Sequence, residues 1–195
     1  MITARAVDQH VEQLFDVMRR LHSALTEAGI EYRIIGGMAI FLQISERNHD
    51  AARLTRDVDV AVDRNDLQRI AKAAGAFGFR YRHVAGVDML VDAKEPKARS
   101  AVHLVFVREK VRREYLEPVP GFTKPTVTKE GILLAPVADL VRMKLTSFRL
   151  KDRLHLLDMD SVGLITPEIE QGLPEALRNR LDQVRKEERQ STGAE

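Results

Sequence analysis

Two stretches decide how this chain is read: Ile34-Ile35-Gly36-Gly37-Met38-Ala39, and then Leu54-Thr55-Arg56-Asp57-Val58-Asp59-Val60, with nineteen residues between Gly37 and Asp57. Tyr32-Arg33-Ile34-Ile35 is short and β-leaning, Gly36-Gly37 breaks it, and Met38–Gln43 suits a buried helix. The first stretch is therefore strand, glycine turn, helix. In the second, Val58, Val60 and Val62 alternate with Asp57, Asp59 and Ala61, the pattern of a half-buried strand.

On such a strand the side chains of Asp57 and Asp59 leave the same face, about 6–7 Å apart along the backbone. Two carboxylates so placed converge on one hard cation. Magnesium is commonly held by one or two carboxylates together with substrate phosphates. The glycine pair lets a ligand approach the backbone closely, and the helix that follows offers its free N–H groups to a phosphate. Either feature alone has an ordinary structural explanation, a solvated strand face or a tight turn; their succession predicts a phosphate cradle beside a divalent-metal site.

Outward from this centre, Val7, Val11, Leu14, Met18, Leu21, Leu25 and Ala28 form one apolar stripe at helical spacing, predicting a helix of roughly 24 residues that ends at Gly29. A sheet-packed helix and a short heptad seam share this spacing, and packing on a sheet is the expectation. Ser45–Arg53 reads as a loop and Asn65–Ala76 as a helix. Phe79–Val84 and Val87–Val91 read as two short strands broken at Gly86, and Ala101–Val107 as a strand. Pro118, Pro120 and Pro125 mark an irregular arm, and Ile132–Ala135 leads into a helix opened by Pro136. Val137 to Asp160 reads as helical with a joint near Arg149–Lys151, and another helix starts near Pro174. The expected division is a core with its N-terminal helix over 1–135, a helical C-terminal part over 136–185 packed on it, and a flexible tail over 186–195.

Composition narrows the classes. The chain has 195 residues, 44% of them hydrophobic, which supplies one ordinary core. With no cysteine, disulfide frameworks, thiolate metal centres and thiol nucleophiles are excluded. No secretion signal and no apolar run of about 18 residues is present, so the expectation is a cytoplasmic protein without membrane contact. A net charge of +2 makes any basic patch local, and Lys94, Lys97, Arg99 and then Arg108, Lys110, Arg112, Arg113 are where such patches would lie.

The two opening stretches resemble the core motif of the DNA polymerase β-like nucleotidyltransferase superfamily, most closely its abortive-infection, AbiEii-like toxin members. The later Leu140–Leu145 segment with Lys144, and Arg149-Leu150-Lys151-Asp152 with Asp158 beyond, resemble that group's C-terminal lysine and lysine–aspartate motifs. The resemblance spans about residues 30–160, and Ser45–Arg53 would be an insertion relative to compact members. It implies a mixed α/β (α+β) sheet flanked by helices with a helical C-terminal part. It further implies Mg²⁺ or Mn²⁺ on Asp57 and Asp59, and a nucleoside triphosphate held by Gly36, Gly37, Thr55, Arg56, Lys144 and Lys151.

The implied reaction moves an NMP from the NTP to an acceptor hydroxyl, with RNA such as tRNA as acceptor in a toxin–antitoxin setting and a cognate antitoxin or toxin as partner. Asp57, Asp59, His103 and Asp152 are the expected catalytic residues. His103 marks a departure, because the superfamily commonly carries a third carboxylate on that strand. His103 as base or nitrogen ligand, and Asp88, Asp92 or Asp152 as the missing carboxylate, are the alternatives. On a continuous helix Lys144, Lys151, His155 and Asp158 share one face. Two other readings stand beside the transferase: an antibiotic-modifying nucleotidyltransferase with an acidic acceptor cleft, and a degenerate module that binds nucleotide or a partner without turnover.

Overall fold

The computed structural model describes residues 4–53, 55, 57–94 and 101–193. Helix α1 (Ala4–Glu27) buries the predicted stripe at Leu14, Met18, Leu21 and Leu25, adds Val17 to it, and leaves Val11 partly exposed. Gly29 then turns left-handed (φ +62°), and the Ile30 N–H returns to the Leu25 carbonyl at 2.8 Å, closing the helix end. Strand β1 (Tyr32–Ile35) passes directly into α2 (Gly36–Ser45), so the glycine pair is the helix's first turn rather than a separate loop.

Strand β2 (Val58–Val62) follows, then α3 (Leu67–Ala76), and then β3 (Phe79–Val84) and β4 (Val87–Asp92), a hairpin turning at Ala85-Gly86. Both turn residues have positive φ, as a two-residue hairpin turn matched to strand twist requires. Strand β5 (Val102–Phe106) and the short β6 (Thr126–Val127) and β7 (Leu133–Leu134) complete a seven-stranded mixed sheet in the order β3-β4-β5-β2-β1-β7-β6. Strand β2 is central, antiparallel to β1 and parallel to β5. Its burial follows the expected alternation, with Val58, Val60 and Val62 buried on one face and Asp59 partly exposed on the other; Ala61, on the face of Asp59, departs from it by being buried.

Arg20 of α1 reaches Asp92 at 2.8 Å and lies over the Phe79 ring, so α1 covers the sheet face carrying those residues. Helix α3 packs against α1 and β3 on that side. On the other face, buried Arg33 donates to the Thr123 carbonyl at 2.6 Å and stacks on Phe122, pinning the proline-rich arm. Segment Ile132–Ala135 contributes β7, parallel to β1, before Pro136 precedes α4 (Val137–Ser147).

The expected helix over 137–160 is two helices, α4 and α5 (Leu150–Ser161), because Phe148 is left-handed (φ 50°) and Arg149 extended. The joint removes the continuous rotation on which the shared face of Lys144 and Lys151 rested. Helix α6 (Pro167–Gln171), capped by the Thr166 hydroxyl, was hidden by its brevity. Helix α7 (Glu175–Thr192) extends well into the stretch expected to be flexible, with Glu187 tied to Arg153 at 2.8 Å. Helices α4 and α5 pack on α2, and α7 packs on both. No described helix is long and apolar enough to cross a membrane.

Candidate active site

The site begins where β1 becomes α2. Ile35 is extended and supplies no side-chain cap, so the first N–H groups of α2 have no side-chain partner there. Asp59 lies opposite Ile35 in the β1–β2 register, and its carboxylate leans over the helix start. A Cβ at Gly36 would sit 2.1 Å from Asp59 Oδ2, and Gly36 also needs its φ of +68°. Only glycine meets both conditions. At Gly37 a Cβ would come within 2.7 Å of Thr55 Oγ1 and 3.5 Å of His155 Cε1. Asp59, Thr55 and His155 thus wall the N-terminus of α2.

The parallel β2–β5 register sets His103 beside Asp59, with His103 Nδ1 3.1 Å from Asp59 Oδ1. This hydrogen bond, opposed by burial and aided by the fields of Asp59 and Asp57, raises the imidazole pKa above its ordinary value. Asp57, just before β2, is partly exposed and has no hydrogen-bond or ion-pair partner among the described residues. Asp59 over an uncapped helix start, with the charge of Asp57 felt at the neighbouring His103, fits a magnesium or manganese ion whose other ligands are phosphate oxygens and water. No group of three or more His, Cys, Asp or Glu side chains forms a ready-made metal cage among the described residues.

The lysine–aspartate motif serves the joint between α4 and α5. Asp152 is fully buried; it accepts from Lys144 Nζ, Ser147 Oγ and Arg149 Nε, each at 2.8 Å, and from the Arg149 backbone N–H. Burial opposes its charge, yet these donors and the Lys144 ammonium hold the carboxyl well below the usual range. Burial in turn pushes Lys144 below an ordinary lysine, against the pull of Asp152. The other two candidates for a third carboxylate are also engaged: Asp92 by Arg20 at 2.8 Å, and Asp88 by Tyr81 at 2.5 Å and His83 at 2.8 Å.

Lys151 is exposed, and its charge is felt at both His103 and His155. His155 is pushed down to about 4, first by burial and then by Lys144, so the ring against Gly37 is neutral at pH 7. The helical spacing groups His155 with Lys144 and gives it no role; its closeness to Gly37 depends on how α5 packs on α2. Arg149, also unassigned, could be found only through the joint. Arg56 lies outside the described residues, as do Lys97 and Arg99.

From Gly36, Asp59 and His103 a groove of about 600 Å³ runs between the β3–β4 turn and the segment after β5. Tyr115, Lys144 and Arg149 line its near wall. Its outer carboxylates are paired, Glu109 with Arg64 at 2.6 Å and Glu117 with Arg142 at 2.8 Å.

No family model and no curated protein matches the chain. Among solved structures it resembles a crystal structure of ANT(2")-Ia in complex with adenylyl-2"-tobramycin, with TM-score 0.52 and 11% identity over 84% of this chain and 94% of that one. A solution structure of the antibiotic-resistance factor ANT(2'')-Ia gives TM-score 0.46 and 12% identity over 95% of both chains. The Megavirus polyadenylate synthase gives 0.39 and 11% over 92% of this chain and 36% of that one. The first of these likenesses shows that the chain shares the ANT(2'')-Ia fold.

Proposed function

We propose that this chain is a metal-dependent nucleotidyltransferase that moves an NMP from an NTP to an acceptor hydroxyl. The observation that supports it best is the fit of Asp59 over Gly36 at an uncapped helix start, with Asp57 unpartnered at the head of the same strand. In this reading the α2 N–H groups at Gly36 and Gly37 and the Thr55 hydroxyl hold triphosphate oxygens. Asp57 and Asp59 would hold the divalent ion, which when bound neutralises charge on the phosphates and acidifies the attacking hydroxyl. His103 orients Asp59 through its Nδ1 hydrogen bond. Lys151 adds positive charge at the site, as Arg56 would on the family resemblance. Lys144 and Asp152, tied to each other, act as positioning residues that fix α5 against α2 rather than as a phosphate contact and a base.

The acceptor reading follows from charge. Beyond Asp59, the carboxylates that line the groove are each engaged: Glu109 and Glu117 by arginines, and Asp88 by hydrogen bonds to Tyr81 and His83 with Arg64 3.9 Å away. A polycationic drug would find no unpaired carboxylate there, which favours an RNA such as tRNA, in a toxin–antitoxin setting, over the antibiotic-modifying alternative. The likeness to ANT(2'')-Ia motivates keeping that alternative as a comparison arm.

The test is pyrophosphate release from each of the four NTPs with Mg²⁺ or Mn²⁺, with bulk RNA or an aminoglycoside as acceptor. The wild type should release pyrophosphate with RNA, and Asp57→Ala/Asp59→Ala should not. Equal silence of both proteins, with nucleotide binding retained, would replace the transferase by a nucleotide-binding module.

A further inference from the structure

The strand register carries the site beyond the two aspartates. Asp59 pairs with His103, His103 with Met89, and Met89 with Arg82, so one row of side chains crosses four strands on a single sheet face. Arg80, two residues from Arg82 on β3, shares that face about 7 Å away. Three strand spacings put Arg82 about 14 Å from Asp59. Both arginines are exposed and, among the described residues, without an ion-pair or hydrogen-bond partner. Met89 and His103 between them are partly exposed, and Val84 and Val87, at the turn end of the hairpin, are 56% and 43% exposed. The carboxylates of β4 lie on the other face, since Asp88 pairs in register with His83 and Asp92 with Phe79. Val91, opposite Arg80 on this face, is buried, so the open surface is the row from His103 through Met89 to Arg82 with Val84 and Val87 beside it; Arg80 stands at its border, and no described carboxylate lies on it before the Asp59 end.

We infer that this open strip of the β5–β4–β3 sheet is where a single-stranded nucleic-acid acceptor lies, its backbone on Arg80 and Arg82 and its terminal hydroxyl directed toward Asp59. The occupant follows from charge complementarity along a track that ends at the carboxylates. This inference rests on the transferase reading for the direction of the strand, whereas binding itself does not depend on turnover.

The experiment measures fluorescence anisotropy of a short labelled oligouridylate with the full chain across a salt series, without NTP. It compares wild type, Arg80→Ala/Arg82→Ala, Lys72→Ala as a cation on α3, and Asp57→Ala/Asp59→Ala. The double arginine variant should bind at least about fivefold more weakly, with a salt slope shallower by about 1.4, because each of two phosphates left without its arginine accounts for ~0.7. Lys72→Ala should match wild type. With acceptor present, the arginine variant should show raised KM for RNA and unchanged KM for NTP. Circular dichroism and melting of the arginine variant should match wild type, because both side chains are exposed.

Edge-strand charges also deter aggregation. If the arginine variant binds the oligonucleotide as wild type does, that role is the whole of it and the inference falls, while pyrophosphate release still upholds the transferase. Equal competition by polyglutamate would also overturn it, because the strip would then select charge alone. Loss of binding in the arginine variant, with no protein releasing pyrophosphate, would retain the strip and discard the transferase.

Discussion

Gly36 is the residue on which the site's geometry turns. An alanine there meets Asp59 Oδ2 at 2.1 Å and must also hold a φ of +68°, so either the carboxylate or the helix start moves. Gly36→Ala should therefore lower NTP-dependent pyrophosphate release about 100-fold, as a misplacement of ~1 Å does, while circular dichroism stays that of the folded chain. Gly75→Ala is the matched control: nothing lies within 4 Å of its Cβ, and it should be neutral or stabilise by up to ~1 kcal/mol in a thermal melt. The positions of Gly36 and Asp59 were legible in the sequence because local rules, period two on a strand and glycine at its end, determine them; Asp57, expected on the same strand, precedes it. The neighbours His103 and His155 were less so. His103 reaches Asp59 through the register of two strands 44 residues apart, and His155 reaches Gly37 through helix packing.

At the scale of elements, the joint between α4 and α5 was visible in outline, whereas its energetic centre was not. On one continuous helix Lys144 and Asp152 would stand about 12 Å apart along the axis; the left-handed Phe148 instead folds them together as a buried pair. Removing one partner of such a pair leaves the other charge buried, which costs about 3–5 kcal/mol. Asp152→Asn should lose roughly that in urea unfolding near pH 7. Because the Asp152 carboxyl is held below its unfolded value, its contribution is fully present above the ordinary carboxylate pKa of ~3.9 and fades as the pH falls below it. The wild-type and Asp152→Asn stabilities should therefore converge below about pH 4. A gap that stays constant to lower pH would show that the carboxylate's charge is not what holds the joint.

Across the whole molecule, one buried core joins α1, both sides of the central strands and the C-terminal helices. Its α1 portion was predictable from the apolar stripe. The sheet order was not, because strands of two residues such as β6 and β7 carry too little pattern, and β5 joins β2 across an intervening hairpin. Leu21 is fully buried at the centre of the stripe, and Leu21→Ala should cost about 2–5 kcal/mol. In a chain of this size that is a fall of roughly 5–15 °C in Tm, expected as a single cooperative transition if the α1 face and the C-terminal helices are one unit.

The β3–β4 hairpin touches the remainder of the sheet through three residue pairs, Asp88–Leu104, Met89–His103 and Leu90–Val102. The strand bearing Asp59 sits one strand further in and takes none of its backbone partners from the hairpin. If the hairpin carries the acceptor as inferred above, recognition and chemistry lie on separable parts of the sheet. A graft of a different hairpin onto β5, preserving those three pairings, would give a chain that keeps its reaction and exchanges its clientele.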